Sequence, residues 1–112
     1  MHIQTADSAN EPPAVRGFDW DHGNRRKCLK HGMSIADIEA VFTRPVVILP
    51  DKENPAGERR LKAIGTTPLG RHAFIVFTWR AEGAGSALLR PISARFMHRK
   101  EVETYEKAYP NL

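Results

Sequence analysis

Residues 88–109, LLRPISARFMHRKEVETYEKAY, decide the fold class that the sequence predicts. The first half is apolar and typical of a strand, and the second half spaces apolar residues as an amphipathic helix does. We therefore expect a strand from Ser86 to Phe96 that leads directly into a helix from about His98 to Tyr109, which buries Val102, Tyr105 and Tyr109. The end of the strand and the start of the helix carry cationic or titratable side chains with no acidic residue among them: Arg90, Arg95, His98, Arg99 and Lys100. Folding does not require such a cationic stretch, whereas phosphate recognition does, so the stretch favours an anionic partner such as RNA.

The strands that precede this stretch are predicted from residue type. The run Ala73 to Trp79, AFIVFTW, is β-branched and aromatic throughout, which predicts a central strand buried on both faces. Pro91 removes one ladder donor, so the Ser86–Phe96 strand is expected to be either an edge strand or a bulged one. Shorter strands are predicted at Arg16–Trp20, Pro45–Leu49 and Arg59–Thr66, and the turn-rich stretch Asp51–Gly57 is predicted to be a loop.

Two helices are predicted near the N-terminus from their capping signals. Asp21 is placed as the N-cap of a helix that runs to Lys30 and stops at Gly32. Ser34 caps a second helix, whose apolar face is Ile35, Ile38, Val41 and Phe42 and which ends before Pro45. The predicted fold is therefore α+β: a small, mainly antiparallel sheet with two N-terminal helices and one C-terminal helix.

Length and composition limit the chain to one small domain. With 112 residues, 41% of them hydrophobic, it has enough apolar surface for a single core. Residues 1–15 are polar and contain prolines, which predicts a disordered tail, and residues 16–112 are expected to form the single domain. The lone cysteine, Cys28, fits a reducing compartment, and no stretch reaches the ~20 apolar residues of a membrane span. We expect a cytoplasmic protein without a membrane partner.

The positive charge of the chain is unevenly distributed. The formal net charge is +4, and the cations concentrate in two clusters, one at residues 25–30 and the other at residues 90–100. Clustered cations favour a nucleic acid or an acidic protein as partner over a neutral metabolite.

Three motifs, in order along the chain, resemble the BrnT toxins, the ribonuclease half of the BrnT/BrnA toxin–antitoxin systems. They are FDWD at Phe18–Asp21, LKHG at Leu29–Gly32, and RPISAR followed by MHRKE and a Tyr-Glu helix in residues 90–106. The resemblance implies a RelE-like fold and a metal-independent endoribonuclease that needs no cofactor and inhibits translation and growth by cutting RNA. It also implies a cognate ribbon–helix–helix antitoxin similar to BrnA, with operator DNA bound only through the toxin–antitoxin complex.

RNA cleavage without a metal needs proton transfer and stabilisation of a charged phosphorane. Histidine is the side chain best suited to move protons near neutral pH, and arginine stabilises the developing charge. The candidate catalytic residues are His31, Lys30, Arg95, Arg99 and Arg59, and the candidate RNA-binding residues are Arg90, Lys100, His98, Arg26 and Lys27.

Structural interpretations of the same residues stay open. Arg95 could form an ion pair with Glu101 or Asp51, and Arg59 could be an exposed charge at a sheet edge. Lys30 and His31 could simply favour the C-terminal end of their helix. Arg99 and Lys100 are unfavourably placed at a helix N-terminus, which invites a functional explanation, although Glu101 and Glu103 could compensate for them.

A metal site is not predicted, because the histidines are scattered and the chain has no HxH, HExxH or CxxC spacing. The alternative to an enzyme is a non-catalytic nucleic-acid-binding or corepressor module of the same fold. The same arginines would serve both functions, since phosphate affinity and phosphate chemistry use the same residue types.

Overall fold

A computed structural model of the protein describes residues 14–51, 57–83 and 85–110. Five strands and three helices lie in these ranges, and the predicted α+β class is confirmed. Their order is β1 (Ala14–Phe18), α1 (His22–Leu29), α2 (Ile35–Val41), β2 (Val47–Pro50), β3 (Leu61–Thr66), β4 (His72–Ala81), β5 (Ser86–Phe96) and α3 (Arg99–Ala108).

The predicted tail and loop fall largely outside the described residues. Of the tail, only Ala14 and Val15 are described; both belong to β1, and Val15 is buried. Most of the predicted loop at residues 51–57 is likewise not described. In the described part of the chain, no helix is long and apolar enough to cross a bilayer.

The strands form one mixed sheet in the order β1-β5-β4-β3-β2. β1 runs parallel to β5, and the remaining neighbours pair antiparallel. β4 is the middle strand, as predicted. β5 has a neighbour on each side, so it is not an edge strand. Its register shifts opposite Val76 and Phe77, which pair with Ser93 and Pro91 and leave Ile92 as an extra residue. The bulge is therefore the way in which the sheet accommodates Pro91.

The two faces of β4 differ in burial. Ala73, Ile75 and Phe77 are fully buried, in the core cluster that also contains residues of α2. Phe74 and Val76, on the opposite face, are only partly buried. The prediction that β4 is buried on both faces is wrong, because a helix covers only part of the second face.

The predicted caps of the first two helices are confirmed. The Asp21 carboxylate accepts from Asn24 N at 2.9 Å, and Ser34 Oγ accepts from Asp37 N at 3.0 Å. Gly32 has φ +90°, a conformation that favours glycine, and it ends the turn after α1. Asn24 is buried, and its Nδ2 donates to the carbonyl oxygens of Asp19 and Pro91 at 2.9 and 2.8 Å. The bond to Pro91 attaches α1 to β5.

The C-terminal helix packs on the sheet through a second, smaller cluster. Tyr105 is buried against Val47 and Ile64, with Phe74 packed beside them. Of the other residues predicted to be buried in this helix, Val102 and Tyr109 are only partly buried. α3 therefore covers one end of this sheet face and leaves the rest accessible.

Candidate functional site

The sheet face opposite the α2 core carries the chemically active side chains. We call it the open face, and its side chains are Lys62, Phe74, Val76, Ser93 and Arg95. Phe74 lies directly opposite Arg95, and Val76 lies between Lys62 and Ser93 in the register. Because residues directly opposite one another project from the same side of a sheet, these five side chains share one face. Polar groups are thus held here on rigid strands.

A cavity of about 320 Å³ lies on the open face. His31, from the turn after α1, and Asp51, just after β2, line it together with the open-face residues and Ala94. We call it the His31 cavity. Two of the predicted catalytic residues, His31 and Arg95, thus come together although they are far apart in sequence. A titratable imidazole, a carboxylate, an ammonium group, a hydroxyl and a guanidinium face one small volume.

Arg95 is held firmly at this cavity. Its Nη1 and Nη2 atoms each donate to the Glu101 carboxylate at 2.8 Å, and Nη1 also donates to the carbonyl of Phe96. The guanidinium lies 4.6 Å from the ring centroid of Phe74. The hydrogen bonds from Arg95 and from the backbone N–H of His98 lower the pKa of Glu101 to about 2, and the same Glu101 bond raises the pKa of Arg95. The predicted ion pair with Glu101 is therefore present.

This ion pair does not use all the donors of Arg95. A guanidinium has five N–H groups, and the three bonds just described use three of them. Among the described residues, no partner uses Nε–H or the second Nη2–H, and these two remain for a ligand oxygen. A fixed, ring-stacked guanidinium with donors to spare is well suited to bind a phosphate.

A second cavity, of about 250 Å³, lies beside the first and is lined by four cations. We call it the Arg60 cavity. Its cations are Lys27, Arg60, Arg80 and Arg90, and Gly23, Asn24, Glu58 and Ile92 complete its lining. The two cavities adjoin along β5, because Ile92 lines one and Ser93 lines the other.

Arg90 is the most constrained of these four cations. Its Nη2 donates to Asp21 at 2.7 Å, and its Nη1 approaches Asp19 at 3.4 Å. Burial opposes protonation of Arg90, but the two carboxylates outweigh it and raise the pKa of the guanidinium. Asp21 therefore has two roles, as the cap of α1 and as the anchor of Arg90. Arg80 contacts Asp19 only at 3.8 Å.

The remaining predicted residues lie outside both cavities. Lys30 is the exposed C-cap of α1, and Arg26 is exposed on the same helix. Arg59 is exposed just before β3, and its carbonyl accepts from Thr78 Oγ1. Arg99 is 93% exposed and pairs with Glu103 at 3.4 Å. His98 is the N-cap of α3, and Lys100 lines an apolar groove beneath that helix.

Sequence reasoning missed several residues that line the cavities. They are Asp51, Arg60, Lys62, Arg80 and Ser93. A signal was present for Arg60 and Lys62, because residues two apart in an extended segment share a face. Asp51 and Arg80 follow strand ends in sequence, and only the packed sheet shows which cavity each reaches.

Two other chemistries receive no support from the described residues. Burial raises the pKa of the Cys28 thiol to about 11, so it is not a reactive nucleophile near neutral pH. The positive charge of Arg90 acts in the opposite direction, but burial outweighs it. Within residues 14–51, 57–83 and 85–110, no three His, Cys, Asp or Glu side chains are grouped as metal ligands.

Comparison with known families agrees with the resemblance of the motifs. Residues 20–101 match the family described as the ribonuclease toxin, BrnT, of type II toxin–antitoxin systems. The chain belongs to the BrnT family. No curated protein sequence matches the chain. Every residue that lines the two cavities lies within the part that matches BrnT, as does the Arg95–Glu101 pair. Members of the BrnT family are ribonuclease toxins of type II toxin–antitoxin systems. Membership of this family implies a protein antitoxin as the partner of the chain.

Proposed function

We propose that this protein is a metal-independent endoribonuclease and that the His31 cavity is its active site. The observation that carries the proposal is the convergence of His31, Lys62 and Arg95 on one cavity of the open face in a BrnT-family chain. These side chains supply the proton transfer and the charge stabilisation that RNA cleavage needs without a metal.

The proposed reaction divides the work among these three residues. The His31 imidazole accepts the proton of the ribose 2′-hydroxyl, and the 2′-oxygen attacks the phosphorus. The two unused N–H groups of Arg95 donate to the phosphorane oxygens. The Lys62 ammonium gives a proton to the leaving 5′-oxygen as the P–O5′ bond breaks. The products are a 2′,3′-cyclic phosphate and a 5′-hydroxyl, so the number of protons balances.

The residues outside the cavity have a secondary place in this proposal. Lys30, Arg59 and Arg99 are exposed, and we assign them to RNA that extends beyond the cleaved nucleotide. Arg26, His98 and Lys100 are assigned in the same way. All of these assignments rest on charge and exposure alone.

The test is cleavage of total RNA by the purified protein in EDTA. We expect His31→Ala to lower the cleavage rate by about 10²–10⁴-fold, the usual contribution of a general acid or base. Affinity for an uncleavable 2′-O-methyl RNA should be retained. His22→Ala is the matched control, because His22 is an exposed histidine at the start of α1 that lines neither cavity.

Three outcomes would contradict the proposal. Cleavage at the wild-type rate by His31→Ala would move the active site elsewhere. Intact RNA after incubation with folded wild-type protein, together with tight binding of the 2′-O-methyl RNA, would favour the alternative of a non-catalytic binding or corepressor module. Loss of cleavage in EDTA would show that the reaction requires a metal ion and would overturn the metal-independent mechanism.

The biological role is part of the same proposal. Expression of this chain alone is expected to arrest growth and translation and to fragment RNA, and coexpression of a ribbon–helix–helix antitoxin is expected to restore growth. Operator DNA would be bound only by the complex, through the antitoxin. The RelE-like architecture that the resemblance implies is also proposed here, and superposition on RelE toxins would test it.

A further inference from the structure

The Arg60 cavity has no role in the reaction proposed above, yet it concentrates more cations than the His31 cavity. Lys27, Arg60, Arg80 and Arg90 line it, against a single lining carboxylate, Glu58. Asp19 and Asp21, behind the cavity, pair with Arg90, and Asp19 also approaches Arg80. The four cations outnumber these three carboxylates by one, so the cavity and its surroundings keep a small net positive charge. The two aspartates also hold Arg90 in place, so that its orientation does not depend on a ligand.

The second observation is an unsatisfied donor on Arg60. Its Nε is buried and has no hydrogen-bond partner among the described residues. A buried donor without an acceptor is unfavourable, and such donors in folded proteins call for an explanation. Nε is closed to solvent in this conformation, so an anionic oxygen in the cavity would reach it only after a shift of the Arg60 side chain. The oxygen would then accept from Nε and from the adjacent Nη of the same guanidinium, which is the usual two-point contact between arginine and phosphate.

The size of the cavity limits the ligand. Its volume of about 250 Å³ lies below the range of about 300–1,000 Å³ that is typical of pockets for drug-sized molecules. One phosphodiester with part of its sugar fits such a volume better than a whole nucleotide does. Four cationic side chains and little apolar lining favour a phosphate over a base.

The position of the cavity relates this ligand to the cleaved RNA. Arg60 lines one cavity and Lys62, two residues along the chain, lines the other. Ile92 and Ser93 divide between the cavities in the same way on β5. A single RNA strand lying on the open face would therefore contact both cavities with neighbouring phosphates.

We propose that the Arg60 cavity binds the phosphodiester next to the one cleaved in the His31 cavity, and so positions the RNA strand for cleavage. The inference rests on the proposed ribonuclease function. Arg60 and Arg80 act as positioning residues in it, because they contact the RNA away from the reacting atoms.

The first experiment measures binding without cleavage. We expect Arg60→Gln to weaken the affinity for a short 2′-O-methyl RNA about tenfold, the effect of losing one charge-assisted hydrogen-bonded contact. The slope of log K against log salt should fall by about one unit. Arg44→Gln is the matched control, because Arg44 is exposed, bonds only to Thr66 among the described residues, and lines neither cavity. If Arg60→Gln fails to fold, Arg80→Gln gives the same test from a residue whose side chain is half exposed.

A second readout separates positioning from a general loss of charge. In the wild type, adding one flanking phosphate to a minimal substrate that carries only the scissile phosphate should increase kcat/KM. In Arg60→Gln this increase should disappear, while cleavage of the minimal substrate stays unchanged. Phosphate binding at Arg60 can also be observed directly by NMR: titration with inorganic phosphate should shift the resonance of the Arg60 Nε–H group.

Three results would overturn the inference. The first is equal RNA affinity and equal salt slope for Arg60→Gln and Arg44→Gln. The second is loss of affinity for the antitoxin with RNA affinity retained, which would make the cavity a protein-binding site. The third is an equal loss on substrates with and without the flanking phosphate. The first two results are binding measurements and do not depend on whether the wild type cleaves RNA, so a failure of the proposed function is recognised separately.

Discussion

The two faces of the same two strands, β4 and β5, have opposite chemical properties. On one face Ile75, Phe77 and Ala94 are buried in the core. On the other, Val76 and Ser93 are only partly buried and line the His31 cavity with Arg95. Alternation of side chains along a strand makes this possible, because each neighbouring residue faces the other way. The core face holds the strands rigid, and the open face uses that rigidity to fix polar groups.

The largest expected effect comes from breaking the core face at Phe77. Its ring is fully buried and packs edge-on against Phe42 and Trp79, with ring centroids 5.4 and 5.2 Å away. We expect Phe77→Ala to lower the free energy of unfolding by about 3–5 kcal/mol. Urea denaturation of the wild type and of Phe77→Ala measures this decrease in the free energy of unfolding.

The neighbour Val76 provides the control for Phe77, since it lies on the open face. Val76→Ala should cost far less, on the order of 1 kcal/mol, because the side chain is only partly buried. Equal losses at the two positions would mean that the faces are not distinct in packing.

A smaller loss is expected where α2 approaches the core face. A Cβ built on Gly65 would lie 2.9 Å from a methyl carbon of Val41 and equally close to one of Val46. We expect Gly65→Ala to destabilise the protein by about 1–3 kcal/mol, the usual cost of overpacking. Thermal unfolding measures the loss, and Val41→Ala in the same chain should recover part of it. A neutral Gly65→Ala would show that the helix moves away freely.

The smallest effect concerns the anchoring of the open face by α3. Because the hydrogen bonds with Arg95 and the His98 N–H lower the pKa of Glu101 from 4.5 to about 2, the carboxylate stabilises the folded state above about pH 4.5. That contribution is lost as the pH falls toward 2. The difference in unfolding free energy between wild type and Glu101→Gln should therefore be constant above pH 4.5 and shrink below it.

Glu103→Gln is the control for this pH dependence. Glu103 pairs with Arg99 in an exposed contact, which contributes little to stability. If the two variants show the same dependence between pH 4.5 and 2, the Arg95–Glu101 pair has no special role on the open face.

Local signals were sufficient for much of the fold. Asp21 and Ser34 cap their helices where the sequence places them, and β5 has the predicted bounds, Ser86–Phe96. These features depend on hydrogen bonds and alternation within a few residues. Burial of β4 on both faces could not be judged in this way, because it depends on how much of the open face α3 covers.

The site was less accessible to sequence reasoning than the fold. Residue type and the resemblance both point to His31 and Arg95, and these two residues line one cavity. The sequence analysis predicts a role for Arg59, but its neighbour Arg60 is the residue that lines a cavity. The direction of a side chain just before a strand depends on the register of that strand, which the sequence does not show. Ser93 is not among the predicted residues, because an isolated serine in a strand carries no local signal, whereas the spacing of Lys62 from Arg60 is the signal that could have found it.

The sequence by itself determined the α+β class, the caps, the BrnT relationship and the cationic character of the C-terminal stretch. Each of these is encoded in neighbouring residues or in an ordered set of motifs. The tertiary structure decided which cations share a cavity, which are neutralised by Asp19, Asp21 or Glu101, and which stay exposed. The physical reason is that charge acts through space over a few ångströms, and sheet register and helix packing, rather than sequence order, set those distances.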